Sequence, residues 1–170
     1  MGTLAGASRA VVIPAGSTET RWISPSFGII GKLNGDQAAG ISIVEHPFGP
    51  RALVPPHRHA REDEISYVIE GELGFRSEDR EVTLAAGGYI VKPRGELHAM
   101  WNPTDQPARM LEIISPAGFE AYFVDLADLA ASGSLNPESI SRLGSRYGLT
   151  FDGAWVPDLV ARYGLKPPRS

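Results

Sequence analysis

The sequence predicts an all-β domain, a sandwich or small closed barrel, with a C-terminal helical extension. Three observations lead there. Short runs of β-branched and aromatic residues alternate with turn signals from Val11 to Ile114, at a spacing of about 8–12 residues. The 170 residues include 19 Gly and 14 Pro, punctuation enough for many tight turns. After Ser115 the apolar period changes from two to about 3.6, the mark of amphipathic helices.

Taken in order, residues 1–26 read as a leader, loose over the first eight residues, with an edge strand at Val11–Ile13. Residues 27–115 read as the barrel, with strands at Phe27–Leu33, Gly40–Glu45, Ile65–Glu70, Leu73–Arg76, Val82–Leu84, Tyr89–Val91, Leu97–Trp101 and Arg109–Ile114. Asn34-Gly35 reads as a two-residue type I′ hairpin turn, which needs positive φ at both positions. Residues 116–170 read as a tail packed on the barrel. Ser115 is the expected N-cap and Pro116 the first residue of a helix whose stripe is Phe119, Tyr122, Phe123, Leu126 and Leu129. A second helix starts at Asn136-Pro137 and stops at Gly148, and a third spans Pro157 to Tyr163 before Gly164.

The composition sets bounds on function. One domain suffices at this length. A net charge of −4 disfavours nucleic acid, which calls for a basic face. With no cysteine, a metal would have to be held by nitrogen and oxygen, and the composition suits the cytoplasm. The apolar run after Arg9 ends at Pro14, too short for a signal-peptide core or membrane span. The expectation is a protein neither secreted nor membrane-bound.

Three of the four histidines fall in two segments, His57-Arg58-His59-Ala60-Arg61-Glu62-Asp63-Glu64 and Pro93-Arg94-Gly95-Glu96-Leu97-His98. Residues two apart in a strand share a face, so His57 and His59 point inward together while Arg58 points out. His98 reaches in from another hairpin, and a carboxylate from the 62–64 run completes a mixed imidazole and carboxylate set. Glu62 and Asp63 compete with Glu64 for that place, and alternation cannot exclude Glu62. Such donors suit a divalent Fe, Mn, Ni, Co, Cu or Zn ion. Four protein ligands on a six-coordinate ion leave two positions for small molecules. Ser66 and Met100 stand two residues past Glu64 and His98, so each is a candidate to line a substrate cavity, and Phe119 and Phe123 are candidates to close it. Trp101 is expected to face outward, against the other sheet or a partner subunit. His46 lies outside both segments and reads as a surface or packing residue.

The spacings His57-x-His59-x4-Glu64-x6-Gly71 and Gly87-x5-Pro93-x-Gly95-x2-His98-x3-Asn102 resemble the two signatures of the cupins. One departure is Arg51, at the position where a glycine usually precedes the first histidine. The resemblance covers about residues 27–115. It implies a double-stranded β-helix, or jelly-roll, barrel, with His57, His59, Glu64 and His98 as ligands of one divalent transition metal ion. The phrase from Glu64 to Glu72, the run Ser115-Pro116-Ala117-Gly118-Phe119-Glu120, and a tail containing Arg-Tyr-Gly-Leu are similar to small single-domain quercetin 2,3-dioxygenase-like cupins. That resemblance implies a dioxygenase acting on a flavonol-like or other enolic aromatic small molecule, with dioxygen as co-substrate and Glu64 as both ligand and catalytic base. The alternatives are a metal-dependent isomerase or polyketide cyclase, or a small-molecule-binding module without turnover. Open sheet edges of a single barrel make a homodimer the expected assembly.

Overall fold

The computed structural model describes residues 10–38 and 40–166. Their strands form two antiparallel sheets. In one, the strands lie in the order β1 (Arg21–Ser24), β2 (Phe27–Leu33), β3 (Ser42–Phe48), β10 (Ala108–Ser115), β5 (Asp63–Glu70) and β8 (Tyr89–Lys92). In the other the order is β11 (Leu149–Phe151), β4 (Leu53–His59), β9 (His98–Trp101), β6 (Glu72–Ser77) and β7 (Arg80–Ala85). From β3 to β10 the chain passes repeatedly between the sheets, which makes a jelly-roll sandwich. Phe48, Val68, Leu73, Phe75, Met100 and Met110 fill one half of its interior. The metal-ligand candidates occupy the other half.

Three α-helices follow among the described residues: α1 (Glu120–Ala131), α2 (Pro137–Arg146) and α3 (Val156–Tyr163). α2 starts where the cap-plus-proline pattern places it. Asn136 Oδ1 accepts from the Ser139 amide at 2.9 Å while Ser139 Oγ accepts from the Asn136 amide at 3.0 Å, a reciprocal capping box. Gly148 follows the C-cap of α2 at φ 73° and Gly164 ends α3 at φ 61°.

The start of α1 is corrected. Ser115 ends β10 and residues 116–119 are held as a loop, because the Ala117 amide donates to Gly40 O at 2.7 Å and the Glu120 carboxylate accepts from the amides of Gly118 at 2.5 Å and Gly35 at 3.1 Å. The helix therefore begins at Glu120 and not at Pro116. The same contacts overturn the Asn34-Gly35 hairpin. Strands β2 and β3 are joined by a longer loop in which Asn34 Oδ1 accepts from the Gln37 amide at 3.1 Å, and Gly35 does not take the positive φ of a type I′ turn.

Three further expectations change. Val11–Ile13 forms no strand, and the first strand is Arg21–Ser24; the loose leader lies outside the described residues. Trp101 is fully buried, but what covers it is the chain's own tail, since it packs with Leu53, Ala99, Leu159 and Leu165. Gly74 makes room for that ring, as a Cβ there would stand 2.2 Å from it. The tail, expected to be helical apart from its connections, also contributes β11 in the stretch between the second and third helices. No helix among the described residues is long and apolar enough to cross a membrane.

Arg51 occupies the corner before β4 with φ 61°, the left-handed conformation that glycine adopts without steric cost. Its guanidinium makes a two-point ion pair with Asp105, at 2.9 Å for each bond. It also donates to the carbonyls of Pro103 and Tyr163. These anchors hold the strained corner in place and tie the end of α3 to the barrel.

Candidate metal centre

β4 alternates as its sequence dictates: His57 and His59 are buried and Arg58 between them is partly exposed. Pro55 and Pro56 cannot donate to a ladder, and the pairing with β9 shifts register between Val54 and His57. Beyond that irregularity His57 stands opposite His98. Glu64 comes from β5 in the facing sheet. One donor atom from each of His57, His59, Glu64 and His98 can be chosen so that all lie within 4.8 Å of one another. Glu64 takes the carboxylate place among the three candidates. Asp63 faces outward in an ion pair with Arg94 at 2.7 Å, which holds its pKa down at about 2.

The orientation of the rings points to a cation. His57 Nδ1 lies 2.8 Å from Pro55 O and His98 Nδ1 lies 3.1 Å from Glu96 O. Each Nδ1 therefore carries the proton, and each Nε2 presents a lone pair inward. Those two Nε2 atoms are 3.1 Å apart, a repulsive arrangement without a positive charge between them. His59 Nε2 is 3.3 Å from Glu64 Oε1, and His98 Nε2 is 3.2 Å from Glu64 Oε2. Donors on adjacent positions of one ion, at bonds of about 2.1 Å, lie roughly 3 Å apart, so the separation of the two Nε2 atoms and that of His59 Nε2 from Glu64 Oε1 fit edges of a single coordination polyhedron. Both nitrogens of the buried His59 ring lack a hydrogen-bond partner within the protein, although Glu62 Oε2 is 3.6 Å from its Nδ1. Glu62, the competing carboxylate, thus sits behind the ligand ring.

The electrostatics favour the ligating protonation states. Burial, reinforced by the other imidazoles, pushes His57 well below its usual range, and burial also lowers His98. Both are neutral near pH 7. Burial works against the charge of Glu64, but Lys92, His59 and His98 together hold its pKa well below the usual carboxylate value.

A family model described as "Cupin domain" matches residues 46–114, a span that contains all four donors. Residues 46–114 are a cupin domain. The chain is similar to germin-like protein 5-1 of Oryza sativa subsp. japonica, with 35% identity over 103 residues, covering 57% of this chain and 47% of that protein. It spans about half the length of the curated relatives it matches. Two solved structures share the fold. KdgF from Halomonas sp. has TM-score 0.60 and 18% identity, covering 66% of this chain and 99% of the other. A predicted oxalate decarboxylase from Thermotoga maritima has TM-score 0.58 and 21% identity, covering 62% and 99%.

The cupin barrel places the other singled-out residues unevenly. Phe119 meets His59 edge-on at a ring separation of 4.3 Å. Phe123 stands behind it, 5.3 Å from Phe119, and also lines a cleft of about 770 Å³ between β1, β2, the 34–41 loop and α1. Met100 is part of the apolar filling. Ser66 shares the inward face with Glu64 but donates to Glu112 at 3.0 Å. His46 is buried packing, stacked on Phe27 at 5.1 Å.

Three features of the site were not singled out in the sequence. Lys92 and Glu112 are almost fully buried beside Glu64, with Lys92 Nζ 2.9 Å from Glu64 Oε2 and 2.8 Å from Glu112 Oε2. A signal existed, because each is a charge at an inward position, Glu112 between apolar Met110 and Ile114 and Lys92 two residues after Ile90. The third is Phe151 on β11, paired with His57 in register and 6.0 Å from its ring. No local pattern marks it.

Proposed function

We propose that this cupin is a metal-dependent dioxygenase acting on an enolic aromatic small molecule of the flavonol type. The observation that carries the reading is the convergence of three inward-facing imidazole Nε2 atoms and one carboxylate beside a wall of aromatic rings. A divalent transition ion held by His57, His59, Glu64 and His98 would supply Lewis-acid stabilisation of an enolate and a meeting place for it with dioxygen. The protein's own part is to hold the donors in their neutral and ionised forms, to exclude water with Phe119 and Phe151, and to receive a proton. Glu64 is ionised across the neutral range, so it is in the accepting form when a substrate hydroxyl arrives. Phe123 lines the 770 Å³ cleft and packs on Phe119, which packs on His59, and this succession of contacts supports a role for them in substrate entry.

The test is to load the purified protein with Fe, Mn, Co, Ni, Cu or Zn and to follow oxygen uptake together with flavonol absorbance. Matched loss of both with at least one metal is expected. No uptake and no spectral change with any of them would overturn the assignment. A second reading, oxidation or decarboxylation of a small dicarboxylate, draws on the fold shared with the predicted oxalate decarboxylase and with oxalate oxidase. Oxalate in the same assay, with carbon dioxide as the readout, separates the two.

The proposal includes a homodimer. The six-stranded sheet places polar Glu64, Ser66, Lys92 and Glu112 inward and turns apolar side chains outward from the same strands. Tyr89 is 64% and Val91 59% exposed, and Tyr89 packs on Tyr67 at 4.5 Å. An apolar patch continuous with the open edge of β8 fits a second copy of the same face.

A further inference from the structure

Behind the four donors lies a second buried cluster that their convergence does not require. Lys92 stands opposite Glu64 in the β5–β8 ladder, and Glu112 stands opposite Ser66 in the β10–β5 ladder. The Lys92 ammonium donates to Glu64 Oε2 at 2.9 Å and to Glu112 Oε2 at 2.8 Å. Ser66 Oγ lies 3.0 Å and 3.2 Å from the two oxygens of Glu112. An ammonium is rare in a protein interior and persists there only where charged partners satisfy it. Here both partners are fixed, Glu112 by Ser66 and Glu64 by its place in the donor cluster.

We propose that Lys92 is a positioning residue that restricts Glu64 to binding the ion through one oxygen, so that a coordination position stays open for substrate. The inference rests on reading His57, His59, Glu64 and His98 as the metal centre. A carboxylate can hold a cation through one oxygen or both. In this protein Oε2, which also lies 3.2 Å from His98 Nε2, already accepts from the Lys92 ammonium, whereas Oε1, 3.3 Å from His59 Nε2, takes no hydrogen bond from Lys92 and is the oxygen left for the ion. Turning the carboxylate to present both oxygens would break the 2.9 Å bond and leave the ammonium with a single partner in a dry interior. Lys92 thus acts on reactivity without touching metal or substrate. Glu112 serves as the strut that keeps the ammonium from following Glu64.

The experiment uses the full chain loaded with Co(II), read by its visible d–d absorption, and with Mn(II), read by water-proton relaxation. The main variant is Lys92→Met combined with Glu112→Gln, which removes one buried cation and one buried anion together. In the folded variant, two-oxygen binding by Glu64 is expected to change the Co(II) spectrum and to lower the Mn(II) relaxation enhancement by about twofold, as two open positions become one. Lys92→Arg, which keeps a donor on Oε2, is expected to retain the wild-type spectrum. A folded double variant that binds one ion with unchanged spectrum and relaxation overturns the proposal. If the double variant does not fold, Glu112→Gln alone is read in the same way, with an intermediate spectral change expected and an unchanged spectrum overturning. Failure of the wild-type protein to bind either ion overturns the metal reading itself, and this is seen before any variant is made.

Discussion

The edge of the Phe119 ring rests on the imidazole of His59 at a centroid separation of 4.3 Å, so the first residue before α1 roofs a metal-ligand candidate of β4. Phe119 is 3% exposed and packs on Tyr122 and Phe123 as well. Phe119→Ala is expected to cost about 3–5 kcal/mol in urea unfolding of the metal-free protein. It should also speed removal of bound Co(II) by a chelator severalfold, measured by stopped-flow absorbance. Unchanged release would mean that this ring does not control access.

Metal should couple to stability through the four donors. One divalent ion per chain is expected by elemental analysis after loading and desalting, and His57→Ala or His98→Ala should reduce this to near zero while far-UV circular dichroism is retained. An ion at a thousandfold excess over its dissociation constant stabilises by about 4 kcal/mol. Addition of EDTA should therefore lower the melting temperature of the wild type but not of either variant.

At the Arg51 corner the backbone and the side chain pull in opposite directions. Arg51→Ala loses the Asp105, Pro103 and Tyr163 contacts and keeps the left-handed strain. Arg51→Gly loses the same contacts but relieves the strain, about 1–2 kcal/mol for a residue with a Cβ. Denaturant melts should rank wild type above Arg51→Gly and Arg51→Gly above Arg51→Ala.

His46 gives a pH dependence with a definite sign. Burial lowers its pKa from 6.5 to about 4. The unfolded chain therefore takes up a proton between those values while the folded chain does not, and acid favours unfolding. The contribution is fully present above pH 6.5, falls as pH drops toward 4, and amounts to on the order of 3 kcal/mol over the window. His46→Gln should flatten the stability profile between pH 6.5 and 4 relative to wild type, compared with EDTA present in both.

The outward apolar face should govern assembly. Light scattering on a sizing column is expected to give a dimer for the wild type and a monomer for Tyr89→Glu with Val91→Lys. These positions are already largely exposed, so the fold should tolerate the change. A monomeric wild type would overturn the dimer.

Much of the barrel and of the donor set was legible because it depends on local periodicity. Inward alternation in β4, β5 and β10, the His57-x-His59 pair, and the caps at Asn136, Gly148 and Gly164 are each written within a few residues, and the motif spacings chose Glu64 over Glu62 and Asp63. Pairing between distant segments decided the rest. Asn34-Gly35 gave up its hairpin turn because Glu120, 85 residues away, binds the Gly35 amide. β11 became a strand because Leu149 and Phe151 fall opposite His59 and His57. Lys92 and Glu112 meet Glu64 only through the register of β8 and β10 against β5. Side-chain alternation is a property of one strand, whereas register and the roof of a site are properties of two or more. The chain by itself therefore named the candidate donors, and only the packed sheets decided which groups hold them and which rings cover them.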